Sequence, residues 1–190
     1  MTALAVVART AEVLGHPDLT EALLAPWEHA RLARVRRPDR RDDVLAARLL
    51  LRWCAARATG RPPAEMTPHQ HCDDCGRFGH GRPSLPAAPL TGISVSHADG
   101  LVAAAAGPGP IGVDVERADR RPPPPAHLAR RFPAEPPARP GPDALTAWVR
   151  AEARFKAGGP LPVRTWTDPD RRALAAVATA APVRLLTCLS

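Results

Sequence analysis

The sequence predicts a mixed α+β fold that combines antiparallel strands with two long helices. Apolar and polar residues alternate through 92–117, with turn sequences between the runs, which is typical of a meander of strands. Apolar residues recur at helical spacing over 42–59 and 143–158, and each run stops at a glycine. With 190 residues, the chain has the length of one ordinary domain or of two small lobes.

The first forty residues contain one predicted strand and two predicted helices. The apolar run 3–8 has the length and composition of a buried strand. An aspartate opens the stretch 18–24 and suits the N-cap of a short helix. A second helix is predicted over 26–37, because Pro26 suits a first helical turn and Pro38 disfavours continuation.

The helix predicted over 42–59 carries Arg48 and Arg52 four residues apart, so that the two side chains lie one above the other. Most such pairs extend their charged ends into water while their stems cover apolar surface. On spacing alone, we expect the same of this pair.

A cysteine pair lies in the histidine-rich stretch 69–80. Cys72 and Cys75 have the C-x-x-C spacing of a zinc knuckle and are followed by a glycine. The alternative is a polar loop with two reduced thiols, because a second knuckle is missing. The stretch 80–83 is predicted to be a turn that presents Arg82. Three histidines are candidates to complete the zinc ligands: His69, His71 and His80.

The meander predicted over 92–117 contains three strands. A turn over 96–100 separates the first two strands, and a histidine in this turn, His97, either donates to a phosphate or simply belongs to the turn. Later segments are predicted to be a proline-rich connector with a short helix and then three strands. These segments are 119–142 with its helix at 126–132, 163–167, 174–177 and 183–189.

The third strand of this meander, 111–117, reads I-G-V-D-V-E-R. Asp114 and Glu116 project from the same face of a strand, roughly 7 Å apart. Two neighbouring carboxylates repel each other unless a cation lies between them, and oxygen ligands of this kind suit Mg²⁺. The alternative is an edge strand with a solvated acidic face.

The helix predicted over 143–158 aligns Trp148, Glu152 and Lys156 on one face. An ordinary surface Glu–Lys pair would have the same spacing. Lys156 is, however, the one lysine among 26 basic residues, which indicates a position where a compact ammonium is needed and arginine would not serve.

The charge of the chain restricts its partners. A net charge of +7 favours nucleic acid, phosphorylated small molecules or an acidic protein surface. No run of about 18 apolar residues and no signal-peptide pattern is present, so a cytoplasmic protein without a membrane partner is expected. One hypothesis is a basic nucleic-acid-binding module built on the zinc knuckle. Only three Phe and no Tyr count against base stacking and therefore against nucleic acid.

Four segments together resemble the 4′-phosphopantetheinyl transferases of the surfactin-synthetase-activating type. They are G-R-P (81–83), S-V-S-H-A-D-G (94–100), P-I-G-V-D-V-E (110–116) and W-V-R-A-E-A-R-F-K-A (148–157). The resemblance implies two lobes related by a pseudo-twofold axis, each with a small antiparallel sheet packed on a long helix. The lobes would be 1–107 and 108–190, with coenzyme A between them.

The resemblance also implies an activity and a role for each matching residue. Enzymes of this family transfer 4′-phosphopantetheine from coenzyme A to a serine of an acidic acyl or peptidyl carrier protein and release 3′,5′-ADP; they are usually monomers. Asp114, Glu116 and Glu152 would hold Mg²⁺. Glu152 would be the base, and Lys156 would contact the pyrophosphate and stabilise the leaving group. The 3′-phosphate would be bound by Ser96 and His97, helped by Arg82 and Arg31. Arg48 and Arg52 match a basic helix of the family, and a structural role is the alternative for Arg52.

Two departures from the family pattern leave an alternative open. Ala151 stands where the family usually has a lysine, and the connector 122–142 is unusually rich in proline. A catalytically weakened homologue that binds coenzyme A or a carrier protein is therefore the second hypothesis.

Overall fold

The computed structural model describes residues 1–72, 75–76, 78–133, 141 and 143–189. The prediction of a mixed fold is confirmed, because the described residues form five helices and three small sheets. The helices are α1 (Thr10–Leu14), α2 (Pro26–Leu32), α3 (Pro38–Thr59), α4 (Pro125–Arg131) and α5 (Ala144–Ala157). The strands are β1 (Ala3–Arg9), β2 (His69–His71), β3 (Phe78–Ser84), β4 (Thr91–Ala98), β5 (Leu101–Pro108), β6 (Ile111–Arg117), β7 (Val163–Asp168), β8 (Ala173–Thr179) and β9 (Val183–Leu186).

The long helices and the two larger sheets form four layers. Apolar side chains on one face of β1 and β5 pack against α3, as Val6 does with Leu49 and Leu50. The opposite face of these strands packs against the sheet of β6, β7 and β8, with Val113 and Val177 in that core. Helix α5 covers the far side of this second sheet. The order is therefore helix, sheet, sheet, helix.

The predicted meander is only partly correct, because β6 does not extend it. Strands β4 and β5 pair antiparallel, and the first sheet has the order β4-β5-β1-β9. Strand β6 lies at the edge of the second sheet, which has the order β6-β8-β7. The short Pro108–Pro110 connection gives no local signal of this change, which depends on pairing with β8 more than fifty residues later.

The last strand, β9, joins the sheet at the start of the chain. It pairs parallel with β1, with Ala3 opposite Val183 and Val6 opposite Leu186. Residues 183–186 therefore share the first sheet with residues from the lobe predicted at 1–107, while all three strands of the second sheet come from 108–190.

Several predicted boundaries before residue 60 are wrong. No helix covers 18–24; α1 lies earlier, and residues 21–23 form a single 3-10 turn. Helix α2 stops at Leu32, and Pro38 begins α3 instead of ending a helix. Proline is tolerated at a first helical position because the N–H that it lacks has no partner there. Gly60 ends α3 as predicted, in the left-handed conformation at φ 70°.

The hairpins also differ from the predicted turns. Residues 80–83 belong to strand β3, and His97 belongs to strand β4, with the turn between β4 and β5 confined to two residues. In β3, Gly79 and Gly81 have φ of 90° and 94°, which accommodate a register shift opposite Gln70 and His71.

The connector contains more buried structure than its composition indicates. Helix α4 matches the predicted short helix, and Leu128 and Phe132 are buried against Trp148 of α5. Residues 134–140 and 142 of the predicted connector lie outside the described residues. Among the described helices, none has the length and apolar content needed to cross a membrane.

Candidate functional site

A cavity of about 370 Å³ lies where α3, β4, β6 and α5 meet. It contains both acidic and basic side chains, so it suits a ligand that carries phosphate groups and a cation. Most of the residues singled out in the sequence line it together. They are Arg31, Arg48, Ser96, His97, Asp114, Glu116, Trp148, Glu152 and Lys156.

Strand β6 aims its two carboxylates into this cavity. Val113 and Val115 project into the core between the sheets, so Asp114 and Glu116 project from the opposite face. Their side chains are 7% and 8% exposed. Strand β6 is an edge strand, but the solvated acidic face considered from sequence is not formed.

Close contact between β6 and α5 brings the helix side chains to the same place. A Cβ atom added to Gly112 would lie 2.0 Å from the carbonyl oxygen of Ala153 and 2.5 Å from the amide nitrogen of Ala157. Only glycine allows this approach. Glu152 and Lys156, on that face of α5, therefore line the cavity beside Asp114.

Lys156 uses all three N–H donors of its ammonium group. They reach Oδ1 of Asp114 at 2.7 Å, Oγ of Ser96 at 2.9 Å and the carbonyl oxygen of Val113 at 3.0 Å. Ser96 in turn donates to Asp114 Oδ1 at 2.8 Å. A planar guanidinium cannot make three such convergent bonds at a single point, which explains the one lysine in an arginine-rich chain.

Each carboxylate of β6 keeps one oxygen without a hydrogen-bond partner among the described residues. These atoms are Oδ2 of Asp114 and Oε2 of Glu116, and both are buried. The other oxygen of Glu116 accepts a hydrogen bond from Arg120. Buried carboxylate oxygens without partners are unfavourable unless a cation or water binds them. The donor set therefore fits a hard divalent cation.

The three predicted magnesium ligands do not form a closed ligand cluster. Within the described part of the chain, one group brings three ligand atoms within 4.8 Å of one another, and it consists of Cys72, Cys75 and His80. Asp114, Glu116 and Glu152 line one cavity with wider spacing. The Lys156 ammonium contacts Asp114, and the Arg120 guanidinium contacts Glu116.

The cavity shifts the protonation equilibria of its two glutamates. Burial, and next the negative charge of Asp114, raise the pKa of Glu152 above its ordinary value. Burial also raises the pKa of Glu116, although Arg120 opposes the shift. A carboxylate with a raised pKa is a stronger proton acceptor than an ordinary glutamate.

The raised pKa of Glu152 predicts that the free energy of unfolding depends on pH. Between the ordinary pKa of 4.5 and the raised pKa of Glu152, the folded state binds more protons than the unfolded state. The free energy of unfolding therefore falls as pH rises through this window. We expect Glu152→Gln to stabilise the fold at neutral pH and to lose this advantage in acid. Urea unfolding in EDTA-containing buffer measures the difference, and an equal effect at every pH would contradict it.

Arg48 is a buried cation of the cavity, although its spacing with Arg52 predicted a solvated side chain. Its side chain is 8% exposed; one nitrogen donates to Oε1 of Gln70 at 2.7 Å, and the guanidinium lies over the ring of Trp27. Its Nη1 makes no hydrogen bond among the described residues and lies 3.8 Å from Glu28. Burial lowers the pKa of Arg48 to about 10, so it stays charged at neutral pH. The arginine pair was thus wrongly interpreted as solvated.

Arg52 has a structural role. Its side chain is fully buried and donates to both carboxylate oxygens of Glu28, which ties α3 to α2. Of the two interpretations made from sequence, the solvated one is wrong and the structural one is correct, because the carboxylate of Glu28 replaces water around the guanidinium.

Arg82 lies outside the carboxylate cavity. It lines an adjoining cavity of about 610 Å³ that shares Gln70 and Lys156 with the first. Its Nε donates to the carbonyl oxygen of Lys156 at 3.0 Å, at the end of α5. Arginine there complements the negative end of the helix dipole.

His97 joins the carboxylate cavity to a second neighbour of about 410 Å³. Burial, and next the charge of Arg40, lower the pKa of His97, so its ring is neutral at neutral pH. The second cavity contains basic residues that sequence analysis did not select. They are Arg37, Arg40, Arg117 and Arg120. An arginine-rich sequence gives no signal that separates these four from the other arginines.

The cysteine pair of the β2–β3 hairpin lies next to a histidine. Cys72, Cys75 and His80 could hold a metal ion, and Cys75 Sγ lies 3.1 Å from His80 Nε2. The two other histidines considered from sequence, His69 and His71, instead pack edge-on against the ring of Phe78.

Comparisons with known proteins identify no relative. No protein-family model matches the chain, and a search of curated proteins finds no similar sequence.

Proposed function

We propose that the chain is a 4′-phosphopantetheinyl transferase that converts apo carrier proteins to their holo form. The observation that carries the proposal is the pair of buried, unpartnered oxygens of Asp114 and Glu116, in one cavity with Glu152 and Lys156. The spacing of these residues in the sequence is that of the family motifs. The cavity adds cationic groups suited to phosphates, namely Arg31 and Arg48.

The reaction joins a carrier serine to the phosphorus of the pantetheine phosphate. The serine oxygen attacks that phosphorus, the bond to the 3′,5′-ADP oxygen breaks, and the serine proton leaves to a base. Glu152 is the proposed base, because its raised pKa strengthens it as a proton acceptor and it lines the cavity beside the phosphate-binding groups. Lys156 stabilises the negative charge that develops on the leaving group.

A divalent cation would be held by Asp114 and Glu116, with Glu152 as the third carboxylate. When bound, Mg²⁺ would neutralise charge on the pyrophosphate oxygens of coenzyme A. Lys156 contacts Oδ1 of Asp114 at 2.7 Å, so its ammonium offsets part of the negative charge of the three carboxylates. Ser96 orients the same carboxylate from β4.

The remaining phosphate of coenzyme A fits the basic side of the cavity. Arg31 and His97 are the proposed 3′-phosphate ligands, and Arg48 is added to them because its unpartnered Nη1 is a buried donor. Ser96 is left out of this set, because it donates its one hydroxyl hydrogen to Asp114. Arg82 is proposed to contact the pantetheine side through its adjoining cavity.

Replacing Arg48 separates its proposed binding role from a role in chemistry. We expect Arg48→Gln to raise the KM for coenzyme A roughly tenfold and to leave kcat within about threefold, since it contacts a phosphate that does not react. Steady-state kinetics with coenzyme A and with 3′-dephospho-coenzyme A measure this. The KM values for the two substrates should differ less with the variant than with the parent protein. A variant that keeps the full discrimination would contradict the assignment.

Intact-mass spectrometry of a carrier protein tests the proposed function. An apo carrier incubated with coenzyme A, Mg²⁺ and this chain should gain the mass of one phosphopantetheine, while a carrier whose acceptor serine is alanine should not. The carrier expected is acidic, because the chain carries a net charge of +7. Absence of any gain with several carriers would contradict the proposal.

A weakened homologue is the second candidate, favoured by the surroundings of Ala151. This side chain is buried in the apolar cluster of α4 and α5 with Leu128 and Val149. A lysine at that position would bring a further cation to the same helix. Binding of coenzyme A without transfer to any carrier would identify this candidate.

We propose zinc as the metal for Cys72, Cys75 and His80. Thiolate and imidazole are the usual ligands of zinc, whereas Mg²⁺ prefers oxygen. In a tetrahedral zinc site the ligand atoms lie about 3.5 Å apart, so three atoms within 4.8 Å need only a small closure. The ion would be structural, and the reaction at the carboxylate cavity does not involve it.

A further inference from the structure

The β2–β3 hairpin contacts two of the helices that form the carboxylate cavity, α3 and α5. Gln70 of β2 accepts from Arg48 of α3 at 2.7 Å. Arg82 of β3 donates to the last turn of α5 at the carbonyl of Lys156. One hairpin therefore positions the partner of the buried arginine and also the end of the helix that carries Glu152 and Lys156.

The two contacts depend on the geometry of the hairpin itself. Gln70 donates from Nε2 to the carbonyl oxygen of Gly81 at 2.9 Å, which ties β2 to β3 beside the register shift. A Cβ atom added to Gly81 would lie 3.0 Å from the Cα of Cys72. The backbone that carries Arg82 is thus packed against the first cysteine of the metal cluster.

The end of α5 is equally close to the hairpin. A Cβ atom added to Gly158 would lie 2.5 Å from the guanidinium of Arg82. Gly158 has φ 87° and ends α5. The guanidinium therefore covers the C-terminal turn of α5 at Gly158, two residues after Lys156.

The described strand pairing of the hairpin is short. Described sheet pairing between β2 and β3 is limited to three residue pairs, and Phe78 is 56% exposed. Short two-stranded hairpins are marginally stable in water unless another element supports them. A metal ion that joins Cys72 at the end of β2 to His80 within β3 would supply that support.

We infer that zinc at Cys72, Cys75 and His80 couples the hairpin to the carboxylate cavity, so that occupancy of the metal site controls how firmly the end of α5 and Arg48 are held. Binding removes a proton from each thiol to solvent and links Cys72 to His80 through the metal ion. The zinc ion is thereby a positioning element for Lys156 through Arg82. The effect of zinc on catalysis rests on the proposed transferase function, whereas its effect on the order of the end of α5 does not.

Metal analysis of the purified chain tests the site. The parent protein should contain one zinc per chain by plasma mass spectrometry, and Cys72→Ser/Cys75→Ser and His80→Ala should lose it. Cys188→Ser is the matched control, because it replaces an exposed cysteine that does not belong to the metal cluster. A parent protein that does not bind added zinc would overturn the inference.

Hydrogen exchange tests the coupling without reference to catalysis. Removing zinc from the parent protein with a chelator should speed exchange at least roughly fivefold in residues 156–159, and added zinc should reverse the change. Reversal by zinc distinguishes coupling from misfolding of a variant. Arg82→Ala should keep the zinc but show the same faster exchange. Unchanged exchange after zinc removal would overturn the coupling.

Steady-state kinetics measure how zinc removal affects the proposed transfer reaction. Loss of zinc should raise the KM for coenzyme A roughly fivefold and change kcat less, because the cavity loses order and keeps its reacting groups. If the parent protein transfers no phosphopantetheine, the proposed function fails and hydrogen exchange still decides the coupling. If transfer occurs and zinc removal leaves both exchange and KM unchanged, the coupling alone fails.

Discussion

Replacing Asp114 by asparagine is expected to lower the rate of phosphopantetheine transfer at least about 10³-fold, equivalent to about 4 kcal/mol of transition-state stabilisation. The amide has nearly the same size but no charge. It therefore removes the negative partner of Lys156 and the unpartnered oxygen proposed to bind the cation. Single-turnover kinetics with saturating coenzyme A measure the chemical step.

Asp170→Asn is the matched control for this experiment. Asp170 is exposed and lies in the turn between β7 and β8, which are strands of the sheet that contains Asp114. Its replacement should leave the transfer rate within about twofold, since exposed substitutions far from a site have small effects. Circular dichroism and size-exclusion chromatography should show both variants folded. A folded Asp114→Asn protein with full activity would refute the cation assignment.

Replacing Glu28 by alanine is expected to destabilise the fold by about 3–5 kcal/mol, because it leaves a buried charge without a partner. Arg52 is fully buried and has Glu28 as its carboxylate partner, with Nη1 to Oε1 at 3.1 Å. Glu28 also accepts from the amide of Ala25 at the start of α2. Equilibrium unfolding in urea measures the loss.

A surface pair and a double variant calibrate the result. Glu65→Ala removes an exposed partner of Arg61 and should cost at most about 1 kcal/mol. Replacing both buried partners with Glu28→Met/Arg52→Met should restore much of the stability, since no isolated charge remains. A Glu28→Ala protein as stable as the Glu65→Ala protein would show that the buried pair contributes little.

Local patterns predicted the elements that build the site. The alternation in I-G-V-D-V-E-R predicted β6 with its bounds, and the helical spacing of Trp148, Glu152 and Lys156 predicted the face of α5 that meets it. These predictions succeed because the periods of strands and helices are set by the backbone. Gly112 then determines how closely the two elements pack.

Long-range pairing could not be predicted in the same way. Strand β9 pairs with β1 across most of the chain, and β6 pairs with β8 rather than with β5. The alternation of side chains specifies a buried face and leaves the neighbouring strand open. Pro38 was misassigned because proline both disfavours the helix before it and suits the first turn of the next.

The basic residues of the site were predicted least well. Arg48 is distinguished by burial and by its bond to Gln70, and neither is visible in a sequence with 25 arginines. Lys156 was selected because it is chemically unlike its neighbours. Its three hydrogen bonds supply the physical reason for that difference.

Calorimetric titration of coenzyme A into the chain, with and without Mg²⁺, tests most directly whether the β6 carboxylates and α5 form a cation–pyrophosphate site. We predict that Mg²⁺ strengthens binding to the parent protein at least about tenfold, or 1.4 kcal/mol, and has no such effect on Asp114→Asn. Equal affinity in the presence and absence of Mg²⁺, or an equal gain in the variant, would contradict the account.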